Sequence, residues 1–181
     1  MTCIAAAKQG DRTVVLAADQ QINIRGGKDI WKHGKIFRRG AFAYGCSGYV
    51  RAANILREAF SEPPRAQDSD TLGYLVGSWI PAWRDALQNG GCKVQVNNED
   101  SHGISIIMVY EGRIFTVSSD FSVVEANAYA ASGSGAGEAM GAMFVATAKK
   151  SSGIAQFGVM AAIAHADGCG GEVDVLVIKN S

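Results

Sequence analysis

The chain has 181 residues, of which 48% are hydrophobic, and its 17 basic and 17 acidic side chains leave a net charge of zero. This length suits one domain, residues 1–181, with a core of substantial size. Because the balanced charge provides no basic field for a polyanion, the composition argues against nucleic-acid binding. No apolar run of about 18 residues or more is present, which argues against a membrane span.

The start of the chain and its thiols indicate where the protein is expected to work. The N-terminal stretch TCIAAA lacks a basic leader and runs directly into KQGDR, unlike a secretory signal. The four cysteines are widely separated, form no Cys-x-x-Cys pair, and are expected to be the reduced thiols of a cytoplasmic protein. The three histidines have no metal-ligand spacing, so we expect neither a metal nor another cofactor.

The first third of the chain has the pattern of β-strands. CIAAA and TVVLAAD flank the polar loop KQGDR, which predicts a hairpin. KIFRR and AFAYGC flank Gly40, which predicts a second hairpin. The stretch INIRGGKDI between the two is less regular.

Helical periodicity begins after Gly48 and again at about Thr71. We expect Pro81 to kink or divide the second helix. The first helix repeats an apolar side chain at Val50, Ala53, Leu56 and Phe60, and the second has a core stripe of Leu72, Leu75, Val76, Trp79, Trp83 and Leu87.

The second half of the chain alternates between blocks of strands and blocks of helices. QNGGCKVQVNNEDSHG is the most loop-like segment. The segments that follow are two hairpin strands, ISIIMVY and IFTVSS, a strand in SVVEANAYAAS, two helices, EAMGAMFVATAKK and GIAQFGVMAAIAHA, and a closing strand, EVDVLVIK. Strands and helices segregated in this way predict an α+β fold with antiparallel sheets.

Thr2 is the first candidate for chemistry. Removal of Met1, which is common when a small residue follows, would leave a free α-amine beside the threonine hydroxyl. With a pKa of about 8, that amine can act as general base for its own hydroxyl, and no histidine is needed. If Met1 were retained, the nitrogen would be an amide and this chemistry would fail.

Asp19 and Lys35 are the second candidates. Asp19 closes an apolar strand and Lys35 opens the next hairpin, so the two side chains meet near Thr2 if the hairpins lie side by side. A lysine there would lower the proton affinity of the α-amine and keep it neutral, while the aspartate would hold the ammonium in place. The alternative is an ordinary surface ion pair.

Two glycine-rich segments supply further candidates. Gly45 and Gly48 in AYGCSG lie where a strand meets a helix, so an N–H group there would bind a developing oxyanion, unless the segment is only a tight turn. ASGSGAG resembles a dinucleotide loop, but Glu138 occupies the third glycine position and would repel a pyrophosphate. The alternative is that Ser134 presents its hydroxyl to the site.

Together these segments resemble the proteasome β-subunit family of N-terminal-nucleophile hydrolases, including its simpler bacterial members. TCIAAAKQGDRTVVLAAD, the Lys35 strand, AYGCSG, AYAASGSGAGEAMGA and CGGEVDVLVI occur in that family's order and at similar spacing over almost the whole chain. The resemblance implies a four-layer αββα sandwich, which agrees with the block order above.

The resemblance also implies roles for individual residues. One position departs from the family's pattern. The family places an aspartate three residues before the position held here by Cys169, which is Ala166 in this chain, and Asp167 lies one residue later. The implied roles are the nucleophile Thr2, the charged pair Asp19 and Lys35, the oxyanion amide of Gly45, the hydroxyl of Ser134, the carboxylate of Asp167, and the substrate-pocket positions Ala43 and Ser47.

The function that the resemblance implies is a threonine-type endopeptidase that cleaves unfolded proteins or peptides. Its subunits are expected to assemble with copies of themselves into a ring or stacked rings, and an ATP-dependent unfoldase is a possible partner. Two alternatives stay open: a non-catalytic structural subunit of the same ring, and an amidase that uses the same chemistry on a small amide. A dinucleotide-binding module is a distant third.

Overall fold

The computed structural model describes residues 2–24, 26–92, 94–96, 99–101 and 103–180. Its strands form two antiparallel sheets that pack face to face, together with two short antiparallel hairpins. Helices cover the outer face of each sheet. The chain therefore folds in four layers, and the predicted α+β class with an αββα sandwich is confirmed.

The first sheet carries the N-terminal hairpin at its centre. Its strand order is β12-β1-β2-β13, with every neighbouring pair antiparallel. The final strand of the chain therefore pairs with the second. The strands are β1 (Ile4–Lys8), β2 (Thr13–Asp19), β12 (Tyr129–Ser132) and β13 (Val173–Lys179).

The second sheet has the strand order β11-β10-β9-β6-β5. Two separate hairpins complete the strands, and both lie in segments whose pattern is irregular or loop-like. The sheet contains β5 (Ile36–Arg39), β6 (Phe42–Gly48), β9 (Ile104–Tyr110), β10 (Arg113–Val117) and β11 (Val123–Ala126). The hairpins pair β3 (Gln21–Ile24) with β4 (Gly27–Ile30) and β7 (Val94–Val96) with β8 (Glu99–Ser101).

Within the described residues, five α-helices lie on the two sheets. They are α1 (Val50–Asn54), α2 (Thr71–Tyr74), α3 (Ile80–Asn89), α4 (Ala136–Ala148) and α5 (Ile154–His165). A π-helical turn, Ile55–Ala59, continues α1, and another, Leu75–Trp79, joins α2 to α3. None of the helices in the described ranges combines the length and apolar composition needed to cross a membrane.

Pro81 does not divide the second helix. Residues 71–89 stay helical, with the π-helical turn directly before the proline. Because proline has no N–H to donate, a wider turn in the preceding residues accommodates the missing hydrogen bond. The predicted core stripe is correct for Leu75, Trp79, Trp83 and Leu87, whereas Leu72 and Val76 are exposed.

Three apolar clusters hold the layers together. An aromatic core lies between the second sheet and α1–α3 and includes Tyr44, Phe60, Trp79, Trp83 and Phe115. A small-residue core lies between the first sheet and helices α4 and α5. An inter-sheet core of mainly aliphatic side chains separates the two sheets. Full burial of a large apolar side chain stabilises the fold by about 1.5–3 kcal/mol. Because its side chains are the largest, the aromatic core contributes the most stabilisation per residue.

Candidate active site

The carboxylate of Asp19 is the centre of the site. It ends β2 and is fully buried. Its Oδ1 accepts hydrogen bonds from Lys35 Nζ at 2.6 Å and from the main-chain N–H of Cys3 at 2.8 Å. Its Oδ2 accepts one from the N–H of Gly170 at 3.1 Å. One carboxylate therefore joins four segments that are far apart in sequence.

Lys35 lies directly before β5 and is 2% exposed. Asp19 and Lys35 therefore form a buried pair, and the alternative of a surface ion pair is wrong. Burial lowers the pKa of the Lys35 ammonium, and the hydrogen bond and the charge of Asp19 offset part of that change. Lys35 and Thr2 line the same small pocket, which puts the ammonium next to the candidate nucleophile.

Thr2 lies two residues before β1 and is 8% exposed. Its nitrogen donates a hydrogen bond to Ser134 Oγ at 3.1 Å, and Ser134 Oγ in turn donates to the carbonyl of Thr2 at 3.4 Å. The N–H of Gly135 also donates to that carbonyl, at 3.2 Å. The turn between β12 and α4 therefore fixes both ends of the Thr2 main chain. Met1 lies outside the described residues, so its predicted removal stays a prediction.

The turn that holds Thr2 needs glycine. Gly133 has a φ of 97°, and a Cβ added to it would lie 2.1 Å from the carbonyl oxygen of Thr2. Any side chain would clash with the main chain of the candidate nucleophile. Gly133 is thus explained by close backbone approach, and the N–H of Gly135 faces a protein carbonyl instead of a phosphate.

Thr2 opens onto a cleft of about 600 Å³. Ser47, Gly48 and Tyr49 at the end of β6 form one side, and Gly133 and Ser134 form another. A smaller pocket of about 70 Å³ adjoins Thr2 and is lined in part by apolar side chains. Its apolar lining residues are Ile22, Trp31, Cys46, Tyr49, Val50, Ala53 and Ile104.

The structure separates the two residues expected to line the substrate pocket. Ser47 lines both cavities, and its hydroxyl lies 2.8 Å from that of Ser132. Ala43 is fully buried in the inter-sheet core, opposite Arg38 and Val109 in the sheet, and it does not line either cavity. The cleft lies at the C-terminal end of β6, whereas Ala43 is near its beginning.

The structure also separates the two glycines of AYGCSG. Gly45 lies inside the sheet opposite Ile36 and Ile107, and a Cβ added to it would lie 2.5 Å from Ile4 Cγ2. It is needed for close packing of the two sheets, and the structure does not bring it to the cleft. Gly48 lines both cavities beside Thr2. The two glycines are three residues apart, which is about 10 Å along a strand.

Asp167 lies apart from the other candidates. It follows α5, its side chain is exposed, and it lines neither cavity. Cys169 is buried instead, close to the turn that holds Thr2: a Cβ added to Gly135 would lie 2.8 Å from its Sγ. The departure from the family's pattern at Ala166 is therefore real, because the aspartate one residue later does not turn inward.

Cys3, directly after Thr2, is a poor nucleophile despite its position. Burial, with a smaller contribution from the nearby Cys169 thiol, raises the pKa of the Cys3 thiol to about 12. Its Sγ lies 3.6 Å from the carbonyl oxygen of Gly135 as a weak hydrogen-bond donor. Since the thiolate is the reactive form of cysteine, this thiol is structural.

Sequence reasoning did not identify two residues that shape the site: Gly170 donates to Asp19, and Trp31 lines the small pocket. It named Gly48 beside Gly45 and assigned the oxyanion role to Gly45, whereas Gly48 is the one that lines the cleft. Gly170 and Trp31 gave no signal, because their positions depend on the pairing of distant strands. Nowhere in the described residues do three or more His, Cys, Asp or Glu side chains form a group suited to a metal ion.

Solved structures with the same fold cover almost the whole chain. The BPH protein of Thiobacillus denitrificans is 26% identical over 99% of this chain and 98% of its own, with a TM-score of 0.82. In a second structure, a complex with epoxomicin, the TM-score is 0.80 and 99% of each chain is covered. HslV of Trypanosoma brucei is 18% identical, with a TM-score of 0.65 over 98% of this chain and 99% of its own.

These neighbours are proteasome-type peptidases, so the resemblance to the proteasome β-subunit family is confirmed and extends from one end of the described fold to the other. Neither a protein-family model nor the sequence of a curated protein matches this chain. The chain therefore has a proteasome-like hydrolase fold, and its own activity has to be argued from the site.

Proposed function

We propose that this protein is a threonine peptidase whose nucleophile is the hydroxyl of Thr2, exposed as the first residue after removal of Met1. The observation that carries the proposal is the convergence of three groups on Thr2. Its nitrogen contacts Ser134 Oγ, the buried Lys35–Asp19 pair adjoins it, and a large cleft opens from it. A buried ion pair at the base of a cleft is costly to keep unless it has a task.

The reaction proceeds through an ester on Thr2. The free α-amine accepts the proton of the threonine hydroxyl while Oγ forms a bond to the carbonyl carbon of the scissile peptide. The resulting ammonium gives that proton to the departing amine as the C–N bond breaks. Water, deprotonated by the same amine, then attacks the ester carbon and releases the acid together with the threonine hydroxyl.

Four further residues assist these steps. The main-chain N–H of Gly48, in place of Gly45, stabilises the oxyanion that forms on the carbonyl oxygen, since Gly48 lines the cleft beside Thr2. Lys35 keeps the α-amine neutral, because a nearby positive charge lowers the pKa of that amine. Asp19 holds the Lys35 ammonium in position, and Ser134 orients the amine.

The shape of the site indicates the substrate. The open cleft of about 600 Å³ accommodates an extended peptide. The adjoining pocket of about 70 Å³ fits a small apolar side chain before the cleaved bond. Its lining residues include Trp31, Val50 and Ala53. We therefore expect peptides with Ala or Val at that position to be cleaved faster than peptides with Arg or Trp there.

Assembly with copies of the same chain is part of the proposal. Helices α4 and α5 expose several large apolar side chains on the side away from the first sheet: Met140, Phe144, Val145, Phe157 and Met160. Exposed apolar groups clustered on neighbouring helices are typical of an interface. We expect a homo-oligomeric ring or stacked rings, in the cytoplasm, with an ATP-dependent unfoldase as a possible partner.

The assembly has its own test. Changing Phe144 and Met160 to serine should lower the mass of the particle measured by native mass spectrometry to that of smaller species. Val124, which is equally exposed on the far sheet, provides the control, and Val124→Ser should leave the particle intact. A wild-type chain that is monomeric at micromolar concentration would contradict the ring.

Activity is tested by combining intact mass, inhibitor binding and turnover. The purified protein should begin at Thr2, gain the mass of one epoxomicin when treated with it, and hydrolyse a peptide panel. Lys35→Ala should lower turnover by about 10²-fold or more, as for other tuned bases. A native chain that retains Met1, binds no epoxomicin and cleaves nothing would favour the structural ring subunit, and turnover of small amides alone would favour the amidase.

A further inference from the structure

A second charged group lies directly behind the site. Arg57 belongs to the π-helical turn that continues α1. Its Nη1 donates a hydrogen bond to the carbonyl of His33 at 2.8 Å, and its Nη2 donates to the carbonyl of Gly34, also at 2.8 Å. The guanidinium carbon lies 4.5 Å from the ring centre of Phe37 and 5.3 Å from that of Trp31. Both terminal nitrogens of the guanidinium are therefore engaged by one short segment, residues 31–37, while its buried Nε has no hydrogen-bond partner among the described residues.

That segment carries two parts of the proposed site. Lys35 immediately follows the two carbonyls that Arg57 holds, and Trp31 lines the small pocket. Other contacts hold both ends of the segment: the N–H of Trp31 donates to the carbonyl of Gln20 at 3.0 Å, and Lys35 bonds to Asp19 directly before the residues that pair with β6. Between these ends the segment depends on fewer contacts. It has a tight turn closed by the N–H of Gly34 and the carbonyl of Trp31 at 3.0 Å, with Gly34 at a φ of 66°. Lys32 and His33 are exposed.

We propose that Arg57 is a positioning residue that holds the 31–37 segment so that the ammonium of Lys35 and the ring of Trp31 keep their places beside Thr2. The inference rests on the proposed function, because it assigns Arg57 a kinetic effect through Lys35. Arg57 lies on the helix side of the second sheet and lines neither cavity next to Thr2, so its effect passes through the segment.

The geometry requires arginine at this position. A planar guanidinium presents two parallel N–H groups to two neighbouring carbonyls and at the same time offers flat faces to aromatic rings. A lysine has the same charge but directs a single point charge from a flexible stem, so it can satisfy only part of this set. Arg57→Lys therefore separates the charge of the residue from its shape.

The chain offers a matched control in Arg113. Its Nε and Nη2 donate to the two carboxylate oxygens of Glu125 at 2.8 Å and 2.5 Å, and its guanidinium carbon lies 5.1 Å from the ring centre of Phe115. Like Arg57 it makes two hydrogen bonds and lies over an aromatic ring, but its acceptor is a carboxylate, it lies on β10, and it lines neither cavity next to Thr2.

The test compares Arg57→Met, Arg57→Lys and Arg113→Met with the wild-type assembly. For Arg57→Met we expect kcat/KM to fall by about 10-fold or more, because displacement of a reacting group by about 1 Å can cost up to 10²-fold. The acidic limb of the pH–rate profile should move to higher pH, because withdrawal of the Lys35 ammonium raises the pKa of the α-amine. Arg57→Lys should restore part of the rate, and Arg113→Met should match the wild type.

Hydrogen exchange gives a reading that does not depend on activity. The main-chain amides of residues 31–37 should exchange faster in Arg57→Met and in Arg57→Lys, while the same amides in Arg113→Met should be unchanged. If the wild type cleaves peptides but Arg57→Met has the same pH profile and the same exchange as Arg113→Met, the positioning role is wrong. If the wild type cleaves nothing, the proposed function fails, and the exchange result still decides whether Arg57 holds the segment. If Arg57→Met does not fold, Arg57→Lys carries both measurements.

Discussion

The two helical layers pack on their sheets with very different side chains. Under α1–α3, the aromatic core contains two tryptophans and several stacked rings, among them Phe42 and Tyr110 with ring centres 4.1 Å apart. Under α4 and α5, the small-residue core contains no aromatic side chain among its fully buried members in the described part of the chain. Those members are Cys3, Ala5, Ala7, Val15, Ala17, Ala139, Met143, Ala155, Val159, Ala162 and Cys169.

The aromatic core supplies most of the stability, whereas most of the candidate site residues lie in the half that contains the small-residue core. Large rings bury much apolar area, so the aromatic core supplies more of the folding free energy per residue. Small side chains allow the helices to approach the first sheet closely, and a Cβ on Gly158 of α5 would lie 3.0 Å from Met143 Cγ of α4. Thr2, Asp19, Ser134 and Gly170 all belong to this closely packed half, while Lys35 comes from the edge of the other sheet.

The largest expected effect is a loss of peptide hydrolysis, and it tests the half of the molecule that contains Thr2. Thr2→Ala should reduce peptide hydrolysis to the background rate, because it removes the attacking oxygen, while the melting temperature changes little. Thr71 is an equally buried threonine at the start of α2, where its hydroxyl donates to Glu111 Oε2 at 2.8 Å. Thr71→Ala should lower stability by about 1 kcal/mol and leave turnover per folded molecule unchanged. Measurable hydrolysis by purified Thr2→Ala would contradict the division of roles.

The next largest effect is a loss of stability, and it tests the half of the molecule that contains the aromatic core. Trp79 is fully buried, and its Nε1 donates to the hydroxyl of Tyr44 at 3.2 Å. Trp79→Ala should lower the free energy of unfolding by about 3–5 kcal/mol, as expected for removal of a buried aromatic ring. Denaturant titration measures the loss, and turnover below the unfolding transition should stay close to that of the wild type. A loss of less than about 1 kcal/mol would mean that the rings are not the main source of stability.

A smaller effect tests how closely the small-residue core is packed. A Cβ added to Gly135 would lie 2.6 Å from Ala162 Cβ and 2.8 Å from Cys169 Sγ. Gly135→Ala should therefore cost about 1–3 kcal/mol through overpacking, and it should also lower activity because the N–H of Gly135 holds Thr2. Two residues later, Gly137 has open space around it. Gly137→Ala should stabilise α4 by up to about 1 kcal/mol. In thermal unfolding, a lower melting temperature for Gly135→Ala and a higher one for Gly137→Ala would show that the small-residue core is closely packed at Gly135.

The smallest effect concerns two of the buried thiols, Cys3 in the small-residue core and Cys46 in the aromatic core. Burial raises the pKa of Cys3 and of Cys46 to about 12 from 9.0. The stability that these neutral thiols provide is fully present below pH 9, where the unfolded chain also keeps them protonated, and is lost as the pH rises toward 12. At pH 8 both should react with iodoacetamide much more slowly in the native protein than in the unfolded chain. Rapid native labelling of Cys3 would mean that the region around Thr2 is open.

Much of the fold follows from local patterns in the sequence. The apolar runs CIAAA and TVVLAAD, together with the polar loop between them, predict β1 and β2 almost to the residue. The meeting of Asp19 and Lys35 also follows, because each lies at the end of a hairpin strand that points to the same edge. Local signals of this kind depend only on side-chain period and turn chemistry.

The rest of the site depends on register between distant strands. Gly45 and Gly48 share one hexapeptide, and only the pairing of β6 with β9 and the position of the strand end decide which faces the cleft. The same register places Ala43 in the inter-sheet core. Asp167 is exposed because the chain turns outward at the end of α5, which no sequence period encodes. The hydrogen bonds from Arg57 to the carbonyls of residues 33 and 34 form only after the helical turn that carries Arg57 packs against the second sheet.

The shared carboxylate has a consequence for the synthesis of the protein. Asp19 takes one partner from Gly170, which is synthesised 151 residues after it. Until then the Asp19 carboxylate lacks the hydrogen bond from the N–H of Gly170, and β13 has not paired with β2. Under the proposed function, a nascent chain therefore carries Thr2 in an incomplete site, and peptide cleavage is expected only after the Gly170 segment has been made and has docked.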